Sequence, residues 1–207
     1  MTRTQKEQAT ITPEQALQTL KEGNQRFVAR EMRSRDLCDE VEATGAAAYP
    51  FASILSCMDS RVSSEFIFDQ GIGDIFSLRI AGNFVNDDIL SSLEYTGAGA
   101  GVRLIAVVGH SECAAIKAVC GPHIELEKFA QTLTHIEPAI AAVPGFDADR
   151  SSGNPAFVQA VAEKNVDLAV QHIRSSSAVL EQMERAGEIA IVGAVYDVHT
   201  GAVTFTS

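Results

Sequence analysis

Val102-Arg103-Leu104-Ile105-Ala106-Val107-Val108-Gly109 decides the fold. After Arg103 it is apolar on both faces, the pattern of a strand buried inside a parallel sheet. Phe51 to Ser56, Ile75 to Ile80 and Ile189 to Tyr196 read as further strands, and Ala202 to Phe205 as a short edge strand after the His199-Thr200-Gly201 turn. Helical stretches lie between them. Thr12-Pro13-Glu14-Gln15 is a capping box with proline at the first helical position, followed by the apolar stripe Ala16, Leu17, Leu20, Phe27 and Val28. Ser63 to Gln70, Asp87 to Thr96, Ser111 to Val119, Glu125 to Val143 (broken or kinked at Pro138), Pro155 to Ser175 and Ala178 to Ala186 read as helices. The polar segment from Glu31 to Thr44 has no clear period and reads as a connection. Alternating strands and helices give an α/β class: a mainly parallel central sheet of four strands plus the edge strand, flanked by helices. The chain reads as a single domain, with residues 1–45 an N-terminal helical arm and 46–207 the α/β core.

Two short motifs follow two of these strands. Cys57-Met58-Asp59-Ser60-Arg61 comes after the first, and His110-Ser111-Glu112-Cys113 after the third. In open parallel sheets, sites form beyond the carboxyl ends of strands where the strand order reverses. First and third strands that are neighbours, with connections leaving in opposite directions, bring Cys57 and His110 to such a point. Two thiols and one imidazole make a soft ligand set suited to zinc, and three protein ligands leave a fourth position open. Cys113 falls on the first turn of the next helix, whose positive end favours a thiolate. Asp59 and Arg61 can form a charge-assisted pair beside the metal. The bland readings are two buried thiols, a core histidine and a structural salt bridge. Arg79 and Asn83 read as stabilising the crossover after the second strand. His123, His135, His172 and His199 lack partners at ligand spacing.

The composition narrows the function. The 207 residues suit one domain with a sizeable core, and the net charge of −11, with 27 acids against 16 bases, lacks any basic block. Nucleic acid is therefore not an expected partner. No apolar stretch approaches the roughly 20 residues of a membrane helix, and no apolar h-region marks the first residues. A cytoplasmic location follows, where thiols stay reduced. Of the four cysteines, Cys38 and Cys120 read as plain thiols rather than a disulfide.

The ordered motif set resembles the β-class carbonic anhydrases, which carry C-x-D-x-R followed by H-x-x-C. The likeness extends through Pro50-Phe51-Ala52, Glu65, Phe68-Asp69, Gly73-Asp74, Phe76, Arg79-Ile80-Ala81-Gly82-Asn83, Ser92-Leu93-Glu94-Tyr95 and Gly193 to Gly201. It is tightest from about Pro50 to Val119. The resemblance implies one zinc per chain on Cys57, His110 and Cys113, with Asp59 and Arg61 as a catalytic dyad. It implies reversible hydration of carbon dioxide to bicarbonate and a proton, by attack of zinc-bound hydroxide. In some members the aspartate swings onto zinc as a fourth ligand and closes the site. Phe76, Tyr95 and Gly82 match positions of the substrate pocket, although core packing explains the two aromatics as well. A homodimer or homotetramer is implied, with the N-terminal helix laid across the partner; the stripe Leu17, Leu20, Phe27 and Val28 needs a surface to cover it.

Two departures stand out. Ala114 replaces the glycine usual after the second cysteine, where a methyl can crowd the pocket or shift the helix start. Ala48 replaces a glutamine that bonds substrate in many members. Both bear on rate, and they leave room for carbon disulfide or carbonyl sulfide as substrate, or for a non-catalytic zinc- or bicarbonate-binding protein. The regulatory bicarbonate site that uses a tryptophan is excluded, since the chain has none.

Overall fold

The computed structural model describes residues 2–122 and 125–206, so the reading of His123 lies outside the described residues. Strands β1 (Ala52–Ser56), β2 (Ile75–Arg79), β3 (Leu104–His110), β4 (Ala190–Tyr196) and β5 (Val203–Thr206) form one sheet in the order β2-β1-β3-β4-β5. All pairs are parallel except β4 with β5. The chain leaves β1 toward β2 on one side and later returns to lay β3 on the other. The carboxyl ends of β1 and β3 therefore flank the point where the strand order reverses.

β1 and β3 are buried at every residue, as the two-faced apolar sequence of β3 requires. Ile54, Ala106 and Val108 join a cluster with Ala16 and Leu20 of helix α2 (Pro13–Ala29). Leu55, Ile105 and Val107 turn the other way, onto Val166, Val170 and Ile173 of helix α9 (Pro155–Ser176). α9 lies very close to the sheet because Gly109 and Gly193 have no side chain. A Cβ built on either would sit 2.6 or 2.7 Å from Val166 methyls.

Several expectations change. Helix α1 (Gln5–Thr10) precedes α2, capped by Thr4 with Glu7. Part of the expected connection is helix α3 (Leu37–Thr44), capped by Asp36. Its polarity is inverted: Glu40 is buried on Arg35 while Leu37 and Val41 face solvent, which is why its sequence shows no apolar period. Between β1 and β2 lies α4 (Ser64–Ile67), and after β2 comes α5 (Asp87–Glu94), which runs into a π-helical turn over Tyr95–Gly99. Helix α6 (Ala114–Val119) starts three residues later than Ser111. The stretch before Val143 is two helices, α7 (Glu127–Leu133) and α8 (Glu137–Ala142), separated ahead of Pro138. α10 (Ala178–Arg185) completes the helices. The chain covers part of the α2 stripe itself: Leu20 is fully buried and Leu17 and Phe27 pack in part on the core, while Val28 stays 45% exposed. Among the described residues, no helix is long and apolar enough to cross a membrane.

Candidate metal centre

His110 ends β3, and Cys57 directly follows β1, on the neighbouring strand. Between His110 and Cys113 the backbone turns sharply, with Glu112 at φ 58°. A left-handed residue other than glycine costs energy. Here it reverses the chain so that Cys113 becomes the N-cap of α6. The outcome is a cluster in which the ligand atoms of Cys57, His110 and Cys113 all lie within 4.8 Å of one another. The residues are 4%, 0% and 1% exposed, so the donors converge in a site from which bulk water is largely excluded.

The imidazole is oriented by its other nitrogen. His110 Nδ1 lies 2.8 Å from the Ser111 carbonyl, so a proton there donates to that oxygen and leaves Nε2 as the basic nitrogen. Nε2 is buried and has no hydrogen-bond partner. An orphaned buried acceptor is costly. One facing two sulfurs fits a soft cation. The sulfurs are 3.9 Å apart. A bond from Cys113 and the Gly82 N–H pull the Cys57 thiol down, while the neighbouring Cys57 and burial push Cys113 up. A bound metal cation would favour the thiolate form of both.

Asp59 is not among the clustered donors. Its carboxylate accepts Arg61 Nε at 2.9 Å and Nη2 at 2.7 Å, and also the Arg61 backbone N–H at 2.9 Å. Those bonds hold its carboxyl well below the usual range. Arg61 Nη2 also reaches the Glu112 carbonyl at 3.3 Å, so the pair links the two motif segments.

Gly82 lies directly against the cluster, its N–H 3.4 Å from Cys57 Sγ. At φ +76°, a Cβ on it would meet Ile136 Cδ1 at 2.4 Å. Phe76 and Tyr95 are elsewhere. They line a separate cavity of about 400 Å³ with Leu78, Ser92 and Thr96, and Tyr95 is 66% exposed. Phe76 pairs with Ser53 in the sheet, about 13 Å from Cys57 along the strand at roughly 3.3 Å per residue. Ala114 is exposed at the first position of α6, and Ala48 is exposed beside Gly73. Neither methyl packs among the ligand atoms. His135 stacks on Phe84 and His172 neighbours Ser176, while His199 bonds Asp197 through its backbone. All four cysteines are free; burial raises the Cys120 thiol.

Sequence reasoning missed three supports. Asn165 is buried in α9 and donates to the Gly82 carbonyl at 2.8 Å; a lone amide on that helix's apolar face was the available signal. Ser111 Oγ accepts from Val198 N–H at 3.0 Å and reaches Asp197 at 3.3 Å, tying the His110–Cys113 turn to the β4–β5 loop. Arg79 bonds two carbonyls of the Cys57–Arg61 segment.

Comparison with known proteins agrees with this geometry. The family model described as carbonic anhydrase matches residues 52–203. Carbonic anhydrase 2 of Mycobacterium tuberculosis is 33% identical over 190 residues, covering 91% of this chain and 90% of the relative. The carbonic anhydrase of Mycolicibacterium smegmatis is 33% identical over 196 residues, 94% of each chain. Among solved structures, the Coccomyxa β-carbonic anhydrase in complex with acetazolamide superposes with a TM-score of 0.69 at 25% identity, covering 88% of this chain and 82% of that one. A structure of tetrameric β-carbonic anhydrases from Sordaria macrospora gives 0.68 at 16% identity, covering 82% and 92%, and so shares the fold. Relatives that match along nearly their whole length, and a sheet that superposes on theirs, lead to one conclusion: the chain belongs to the carbonic anhydrase family, in its β class.

Proposed function

We propose that this chain hydrates carbon dioxide reversibly to bicarbonate and a proton, with one zinc held by Cys57, His110 and Cys113. The observation that carries the reading is the buried, partnerless Nε2 of His110 set within 4.8 Å of two buried sulfurs. Zinc on these three donors would leave a fourth position open and lower the pKa of a water there to about 7. The remaining roles belong to the chain. Asp59 accepts a hydrogen bond from the attacking water and fixes its direction, since Arg61 keeps the carboxylate ionised. Arg61 also holds Asp59 away from the metal; released, the carboxylate would become a fourth ligand and close the site. Cys57 and Cys113 sit in apolar surroundings with Ile116 and Ile136, which suits an uncharged substrate.

Phe76 lies too far along the sheet to serve the cluster of its own chain, and Tyr95 shares its separate cavity. In the reading that they line the substrate pocket, a second copy supplies them, consistent with a homodimer or homotetramer. The exposed Tyr95 and Phe66 give such an assembly apolar area to bury. A reducing compartment such as the cytoplasm suits free thiolate ligands.

Zinc content and stopped-flow carbon dioxide hydration on one sample test the proposal. About one zinc per chain and hydration that rises from neutral to mildly alkaline pH are expected. Asp59 remains ionised across that range, so its own titration does not set the slope. Full zinc without turnover would point to a non-catalytic protein, and turnover of carbon disulfide or carbonyl sulfide alone to a hydrolase.

A further inference from the structure

Arg79 closes β2, paired in register with Ser56, the residue before Cys57. Its guanidinium reaches across the sheet edge to backbone rather than to a carboxylate. Nε donates to the Cys57 carbonyl at 3.2 Å and Nη2 to the Asp59 carbonyl at 2.6 Å. Among the described residues it makes no ion pair. The two carbonyls belong to a metal-ligand residue and to the residue that pairs with Arg61.

The Asp59–Arg61 pair, the Arg61 bond to the Glu112 carbonyl and the Gly82 N–H on Cys57 Sγ also hold the segment, but only Arg79 joins the Cys57 and Asp59 carbonyls through one group. Met58 is 64% exposed and contributes no buried side chain. Ser60 and Arg61 are exposed as well. One further backbone bond helps, from Val62 N–H to the Asp59 carbonyl at 2.9 Å. A planar guanidinium can span two acceptors in fixed relative geometry, which a lysine ammonium cannot do in the same way.

We propose that Arg79 is a positioning residue: by bridging the Cys57 and Asp59 carbonyls, it sets where the first sulfur and the Asp59 carboxylate stand relative to the metal. This rests on the reading of Cys57, His110 and Cys113 as zinc ligands. It also replaces the role in the crossover expected from sequence. Removing the bridge frees the segment on the open side of the site, while the Cys113 side, anchored on α6, stays in place.

The test uses the full chain loaded with cobalt(II), whose absorption reports sulfur ligation and coordination geometry, with metal affinity measured by chelator competition. Arg79→Ala should weaken affinity by about tenfold to a hundredfold, the range for groups that orient metal ligands, and should alter the cobalt ligand-field bands. Arg79→Lys, which keeps the charge and a donor, should recover part of both. Parental affinity and spectrum in Arg79→Ala, with only a lower melting temperature, would overturn the inference. If Arg79→Ala does not fold, Arg79→Lys decides on the same readouts: reduced affinity with altered bands supports the bridge, and parental values overturn it. A parent protein without thiolate-to-cobalt charge-transfer bands would instead overturn the ligand assignment, and the inference with it.

Discussion

Two buried polar clusters in this molecule are built on opposite plans. Around Asp69, the cations are supplied by the chain. Arg26 Nε binds its carboxylate at 2.5 Å, the Arg33 N–H adds a bond at 3.2 Å, and Arg35 donates to its carbonyl at 2.8 Å. Glu40 beside it takes Arg35 at 3.0 Å and the Ile72 N–H at 2.9 Å. Around Cys57, His110 and Cys113, electron-pair donors face one another, and no side-chain cation is bonded to the two sulfurs or Nε2 among the described residues. The first arrangement pairs its carboxylates with the chain's own cations, although Arg26 Nη2 and Arg35 Nε are buried without a hydrogen-bond partner, and locks α2 and α3 onto the segment before β2. The second is complete only with a positive ion from outside. Burial alone therefore does not separate a structural polar cluster from a functional one; the inventory of charges inside it does.

The contrast breaks most visibly at the thiols. Cys113→Ser should lose most of the zinc and drop hydration by roughly a hundredfold or more, while the fold persists by circular dichroism. Zinc retained at full occupancy would mean the cluster is not the metal site. Asp69→Asn probes the other plan. Asparagine tolerates the left-handed backbone at φ 47°, so the substitution leaves the backbone unstrained while it removes the charge and sets an NH2 donor against either Arg26 or the Arg33 N–H. A loss of about 3 kcal/mol in urea unfolding is expected, with zinc per chain unchanged; depleted zinc would show that the two clusters are not independent. Asp59→Asn sharpens the division inside the site. Hydration should fall about a hundredfold, within the usual range for a lost proton-handling group, with metal content intact. A parental rate would remove Asp59 from the chemistry. Lys117→Ala sets the lower bound. Lys117 pairs with Glu112 at the surface, where such pairs are worth about 0–1 kcal/mol. A larger change would mean that the pair helps hold the strained Glu112 backbone.

What could be read from the sequence was what local chemistry determines. β3 announces itself because burial on both faces leaves it apolar from Leu104 to Gly109, β1 less so because it buries Ser53 and Ser56, and the motifs at their ends come with them. Thr12, Pro13 and Gln15 mark the start of α2 because capping is a matter of neighbours. α3 escaped because its buried side is Glu40 on Arg35, so hydrophobic period carried no information about it. Arg79 and Asn165 escaped as supports of the site because their partners are backbone carbonyls brought close only by the fold. The α2 stripe was legible as a stripe, but not what covers it: Leu20 meets the chain's own Phe51 and Ile54 cluster, a contact that no spacing specifies.

Asn24 carries a consequence for how the molecule is made. Its side chain donates to the carbonyls of Ile67 and Gly201 and accepts the N–H of Val203, a partner 179 positions along the chain. During synthesis the helix bearing Asn24 emerges well before β5, and two of its three bonds wait for Gly201 and Val203. Until then a polar side chain destined for burial must stay hydrated, and α2 is held at best loosely. Contacts of such long sequence separation slow folding, since the intervening loop must close first. The early helix therefore remains exposed to proteases and chaperones until the late strand arrives.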